Sequence, residues 1–336
     1  MGSAQVLHDR LPGGNLESCS TWQPRGVFDP RNAAVVLPGQ GSQFPGMADP
    51  WAEHPAGRAV MDEASEVLGL DLVAGSHDES LLATTEFTQP AMLACDVAAV
   101  RVLEAFAGSR AWIGAAGHSL GEFAALVAAG VLPFADVLRI VSVRGREMQR
   151  AGEERPGTMS ALLGIGTPEA AALCDEARGD DVLLVANENS PQQVVISGSV
   201  AAVERAEALC AERRIRAVRL RVAGAFHSLL MEPALAPLTE AIDGVAFAPP
   251  SFPIASNVTG ELVTDPEMLR ELLTRHVVSP VRWEACARAL RAAGAETFIE
   301  AGPGDVLSKL AKRVVPGARA VAVGSPQEAE GVVAGD

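Results

Sequence analysis

The chain has 336 residues, 48% of them hydrophobic and 21% charged, and carries a formal net charge of −15. That length buries a sizeable core and exceeds one minimal domain, while the acidic balance argues against nucleic acid as a general partner. No apolar run reaches the ~18–20 residues that span a bilayer, and the five cysteines (Cys19, Cys95, Cys174, Cys210, Cys286) are too scattered for a disulfide framework or a close-spaced metal site.

Residues 1–30 mix Gly, Pro, Ser and charges without the apolar core of a secretory signal, and read as a loose extension. Residues 33–37 are all apolar and predict a short buried strand. It runs into the Gly-rich loop Gly39-Gln40-Gly41-Ser42-Gln43. No Gly-Lys-Ser/Thr of a Walker A motif follows, and no G-x-G-x-x-G occurs. The loop is either plain turn chemistry or a way of presenting a backbone N–H and an amide side chain to a site. Apolar stripes then predict core helices at 59–68 and 89–106, the second carrying Met92, Leu93, Val97, Val100 and Leu103 at helical spacing.

Next comes Gly117-His118-Ser119-Leu120-Gly121-Glu122, with a small, apolar run before it (111–116) and good helix formers after it (123–129). Strand, sharp turn and helix are the context in which G-x-S-x-G marks a nucleophile elbow. Such a turn leaves Ser119 Oγ exposed, and the helix aims its free N–H groups and positive dipole end at it. A Gly-rich connector is the bland alternative. The helix predicted at 135–149 carries Arg144, 25 positions after Ser119. A lone helical arginine is ordinarily a surface ion pair, and the sequence leaves its direction open.

After Pro156-Gly157 the pattern changes to strand (158–164), helix (168–177), two strands (182–186, 193–196), helix (200–212) and strand (215–222). This β-α-β-β-α-β order is ferredoxin-like. The larger α/β unit resumes with a strand at 252–256, a long helical region and a strand at 297–300. The expected fold class is therefore α/β: an α/β-hydrolase-like large subdomain (31–156 and 223–325), an inserted ferredoxin-like small subdomain (157–222) and a C-terminal tail (326–336). Arg205, Arg213, Arg214, Arg216, Arg219 and Arg221 crowd one stretch, and Lys309, Lys312 and Arg313 another. Each alone is most simply a solvated residue; together they are candidate docking patches for an acidic partner. Strand alternation places Arg219 and Arg221 opposite Val218, Leu220 and Val222.

Six histidines are present. His8 lies in the extension, and His54 and His77 in polar loops. His118 is expected to point away from the nucleophile, and His276 lies late in a predicted helix beside Arg275. His227 follows the insert, where the two subdomains should meet. It is the expected partner of Ser119, because a serine hydroxyl is a weak nucleophile until a positioned imidazole takes its proton.

Six motifs occur in a set order: Gly39-Gln40-Gly41-Ser42-Gln43, Gly117 to Glu122, Val143-Arg144-Gly145, Asn187-Glu188-Asn189-Ser190-Pro191, Gly224-Ala225-Phe226-His227 and Gly302-Pro303-Gly304. In this order they resemble the malonyl-CoA:acyl-carrier-protein transacylases, whose layout polyketide synthase acyltransferase domains share. Any one motif is weak; six in order are highly specific. The resemblance spans about 33–323 and implies ping-pong acyl transfer. Ser119 is then the nucleophile, His227 the base and acid, and the backbone N–H groups of Gln40 and Leu120 the oxyanion hole. Arg144 grips the malonyl carboxylate, Gln89 and Asn189 join the substrate site, and Phe226 fills the space an α-methyl needs. The position that is usually Gln reads His276. A backbone carbonyl orients the base in the family, so His276 keeps that role.

The resemblance further implies malonyl-CoA and an acyl carrier protein as partners, with no metal and no cofactor beyond those the substrates carry. A freestanding, cytoplasmic, monomeric protein acting in trans in polyketide or fatty acid biosynthesis is expected. Three rivals stand beside this reading. One is a serine esterase or thioesterase, which would want an acid between Ser119 and His227 in the chain and would not need Arg144. Another is a non-catalytic docking protein. The last is a transferase of another extender unit, or of acyl groups between carriers.

Overall fold

The computed structural model describes residues 29–108 and 111–335. The extension expected at 1–30 lies outside these apart from its last two residues, as do His8 and Cys19. In chain order the strands are β1 (Ala33–Leu37), β2 (Gly114–Gly117), β3 (Gly157–Leu163), β4 (Leu183–Ser190), β5 (Gln193–Ser199), β6 (Arg216–Arg219), β7 (Ile254–Ala255), β8 (Leu262–Val263), β9 (Thr297–Ala301) and β10 (Arg319–Val323).

The apolar run of β1 lies at the middle of the larger sheet, ordered β10-β9-β1-β2-β7-β8 and parallel except for the β7–β8 pair. Strand alternation divides its side chains between two cores. Val35, Leu37, Ile254, Ile299 and Val323 join one. Ala34, Val36, Ala255, Phe298 and Ala320 join the other. Helices α1 (Pro55–Leu68), α2 (Thr85–Ala107), α3 (Gly121–Ala128) and α4 (Phe134–Glu154) cover the first face. Their limits follow local chemistry. Thr84 caps α2 by accepting the Phe87 N–H, and Gly108, at φ 62, ends it in a left-handed turn.

The second sheet is antiparallel, ordered β4-β5-β3-β6. Helices α5 (Thr167–Arg178) and α6 (Val200–Glu212) pack on one of its faces, giving the ferredoxin-like arrangement. The other face turns toward the large unit, and Met159, Ala161 and Val195 from it join the large core. Backbone bonds stitch the units together: Val281 N–H donates to Ala186 O at 2.8 Å, and Glu188 N–H donates to Val281 O at 2.9 Å.

The structure departs from the sequence reading in three places. The region after residue 256 is broken into β8, a helix at Pro266–Thr274, a 3-10 turn at His276–Val278 and helix α7 (Trp283–Ala292), so His276 opens the turn rather than sitting inside a helix. The final strand of the insert stops at Arg219, short of the expected 222. After helix α8 (Val306–Val314) and β10, the expected tail is helix α9 (Pro326–Ala334), capped by Ser325 and burying Ala329 in the large core. Among the described residues no helix is long and apolar enough to cross a membrane.

Candidate active site

The site forms where the carboxyl ends of β1, β2 and β7 meet the open face of the small sheet. Crevices beyond the carboxyl ends of parallel strands are where open α/β sheets place ligands. Ser119 stands between β2 and α3 with φ 52, a left-handed conformation for a residue with a side chain. Such strain costs on the order of 1–3 kcal/mol and persists only where the surroundings enforce it. The flanking glycines contribute close approach. A Cβ on Gly117 would lie 1.8 Å from Gly121 C, and one on Gly121 would lie 2.0 Å from Leu37 O. The elbow can therefore press directly onto β1.

Ser119 Oγ donates to His227 Nε2 at 2.7 Å. His227 Nδ1–H is met by two backbone carbonyls, Ser279 O at 3.0 Å and His276 O at 3.2 Å. Those contacts fix the tautomer with Nε2 free to accept. The expected orienting role of His276 thus falls on its carbonyl, shared with Ser279, which the sequence reading missed. Burial, followed by the neighbouring His276, Arg144 and His118, drives the His227 imidazole well below its ordinary value. The ring is neutral and ready to take a proton.

Arg144 points inward, with 1% of its surface exposed. Its Nη2 donates to Ser119 Oγ at 2.9 Å, its Nη1 donates to Gln89 Oε1 at 2.7 Å, and the guanidinium lies 5.3 Å from the Phe123 ring centre. Gln89 is itself steered by Nε2 contacts to Gln40 Oε1 (3.4 Å) and Met148 Sδ (3.5 Å). Burial pulls the Arg144 guanidinium down to about 9, against the attraction of Glu122. A buried guanidinium of this kind can receive a carboxylate through paired N–H donors.

The loop after β1 folds over the elbow closely enough that a Cβ on Gly39 would lie 2.3 Å from His118 O. It brings Gln40 to the cavity, while Leu120 follows the serine at the start of α3. Among the described residues no acceptor takes the N–H of Gln40 or of Leu120. The cavity, about 270 Å³, is lined by Gln40, Ser119, Arg144, Phe226 and His227, and its wall extends along Val306 and Leu310 of α8. His118 also borders this cavity, and its Nε2–H donates to Asn189 Oδ1 at 2.9 Å rather than to the nucleophile. Ser119, His227, Gln40, Leu120, Arg144, Gln89, Asn189, Phe226 and the His276 carbonyl are all brought together.

The reading missed Asn257 and Glu122, which lie buried behind the elbow. Asn257 Oδ1 accepts the Ser119 N–H at 2.8 Å and its Nδ2 donates to Gly117 O at 2.7 Å. Glu122 Oε2 accepts the Asn257 N–H at 2.8 Å and lies 3.5 Å from His276 Nε2. The basic stretch also resolves. Arg205, Arg213 and Arg219 pair with Asp181, Glu176 and Glu207. Val218, expected inward, is 40% exposed. Arg219 lies against α6, whereas Arg221 lines the cavity.

The sequence model of the acyl transferase domain family matches residues 35–331. The chain is 42% identical to the malonyl CoA-acyl carrier protein transacylase of Escherichia coli K12, over 87% of this chain and 96% of that protein. The crystal structure of a malonyl-CoA:acyl carrier protein transacylase from Xanthomonas oryzae superposes with a TM-score of 0.86 at 42% identity, covering 90% of this chain and 98% of that one. A malonyl-transacylase solved in complex with its type II polyketide synthase acyl carrier protein, PlMCAT:AntF, gives 0.86 at 38% identity, covering 91% and 100%.

Proposed function

From the premise that the chain belongs to the acyl transferase domain family, we propose that it moves a malonyl group from malonyl-CoA to the phosphopantetheine thiol of an acyl carrier protein. The observation that carries this is the position of Ser119 Oγ, 2.7 Å from His227 Nε2 and 2.9 Å from Arg144 Nη2. A nucleophile, its base and a buried cation meet at one atom. A simple ester hydrolase has no use for the cation; an acyl group ending in a carboxylate does.

In the first half-reaction Oγ attacks the thioester carbonyl as its proton passes to His227 Nε2. The oxyanion is received by the N–H groups of Gln40 and Leu120, each such donor contributing on the order of 3 kcal/mol. Collapse expels the CoA thiolate, which leaves with the proton from His227. The carrier thiol then gives its proton to His227, attacks the malonyl-serine ester and regenerates Ser119. Arg144, presented by Gln89, holds the malonyl carboxylate bidentately, a geometry lysine does not reproduce. Phe226 occupies the space beside the α-carbon and Asn189 steadies the wall through His118. No carboxylate sits at His227 Nδ1 among the described residues, which separates the dyad from the acid-bearing triads of esterases.

The acceptor is the carrier of a polyketide system. Phe226 before the base and the likeness to a transacylase of type II polyketide synthesis support that reading. Intact-protein mass spectrometry after exposure to a panel of acyl-CoAs tests the whole. Malonyl is expected on Ser119, followed by its loss on adding holo-carrier. Rapid release of free malonate without acceptor, or no label on Ser119, overturns it.

A further inference from the structure

We infer that Asn257 is a positioning residue for acyl transfer, setting where the nucleophile and the oxyanion donors stand; this rests on the acyl-serine reading above. The elbow holds Ser119 at φ 52, and Asn257 clasps both sides of it. Its Oδ1 accepts the Ser119 N–H at 2.8 Å, and its Nδ2 donates to the Gly117 carbonyl at 2.7 Å. Both ends of one carboxamide are thus used on the two peptides that flank His118 and lead into Ser119.

Asn257 is itself fixed. It is fully buried, its N–H donates to Glu122 Oε2 at 2.8 Å, and its carbonyl accepts the Arg282 N–H at 3.0 Å. The same carboxamide reaches the base, because His276 Nε2 lies 3.4 Å from Oδ1 while the His276 carbonyl accepts from His227 Nδ1. A buried chain of polar groups therefore runs from the Ser119 N–H to the far side of His227. Two things follow. The Ser119 N–H is withdrawn from the oxyanion, which leaves the Leu120 N–H, one residue on and without an acceptor among the described residues, as the donor on this side of the serine. Displacing the carboxamide also shifts Oγ relative to Nε2, and small misplacements of reacting groups slow catalysis steeply.

The test measures single-turnover acylation by malonyl-CoA, read as intact mass, in wild type, Asn257→Ala and the near-isosteric Asn257→Asp. Asn257→Ala is expected to acylate at least about 100-fold more slowly. In a Ser119→Ala background, adding Asn257→Ala is expected to change malonyl-CoA affinity by less than about twofold, since a positioning residue acts through the serine. Asn257→Asp separates positioning from bulk packing. Its carboxyl can donate to the Gly117 carbonyl only when protonated, so its acylation rate relative to wild type falls as pH rises. Acylation of Asn257→Ala at wild-type rate, an Asn257→Asp ratio indifferent to pH, or equal loss of affinity in the Ser119→Ala background each overturns the role. An unlabelled wild type overturns the acyl-transfer reading, and this role with it.

Discussion

Two side chains, His227 and Arg144, converge on Ser119 Oγ, and each of the three residues has its own signature. Ser119→Ala is expected to abolish the acyl-enzyme. His227→Ala should slow its formation by several orders of magnitude with the circular dichroism spectrum unchanged; full-rate acylation in that variant would require another base. Because burial depresses the His227 imidazole, the ring stays unprotonated to lower pH than a free histidine. The acid limb of kcat/KM should therefore lie below the ordinary imidazole range. In stability terms the unfolded chain gains a proton near pH 6.5 that the native ring resists, so stability declines as pH falls below about 6.5. Arg144 contributes no alkaline limb: burial weakens its hold on the proton, but a guanidinium stays charged in proteins. Arg144→Ala should cut malonyl transfer at least about 100-fold, within the range for losing a buried charge pair, while raising activity toward acetyl-CoA relative to malonyl-CoA. Steady-state assays with both donors check this, and equal losses would make Arg144 structural.

At the scale of elements, the elbow was legible because its chemistry is local: two glycines, a serine and a run of helix formers. His227 was legible because its place follows from where the insert ends. Asn257 was not, although it stands just past the strand predicted at 252–256, at the carboxyl end where site residues gather. An asparagine before a turn reads first as turn chemistry, and only the packing of β7 beside β2 turns its carboxamide toward the serine. The inward turn of Arg144 was open to a closer reading: it shares the helical stripe of Val137, Ile140, Val141 and Met148, unlike the exposed arginines at 139 and 146, but a lone helical arginine reads first as a surface ion pair. Strand β6 shows a simple alternation failing when a strand ends early. Arg219 is bound to Glu207 on α6, while Arg221, beyond the strand, lines the cavity. The two should separate on mutation. Arg219→Glu should lower stability by no more than about 1 kcal/mol, the usual scale of an exposed pair, and leave the KM for carrier protein unchanged. Arg221→Glu, in the cavity wall, should raise that KM and weaken its salt dependence. Stopped-flow acylation beside steady-state transfer distinguishes these outcomes.

Across the whole molecule, the protein's charge of −15 cannot draw in an acidic carrier at long range, so encounter rests on local cations near the cavity mouth. The stitch of Val281 to β4 has a kinetic consequence. The two walls of the cleft belong to one hydrogen-bonded frame and do not swing apart to admit two visitors at once. The CoA arm and the carrier arm must use the same passage to the same serine, one leaving before the other enters. Released CoA is then an obstacle to the carrier. Initial-velocity plots should give parallel lines, and CoA should inhibit competitively against holo-carrier. Intersecting lines would mean that both arms fit together, and that the frame yields where the structure holds it closed.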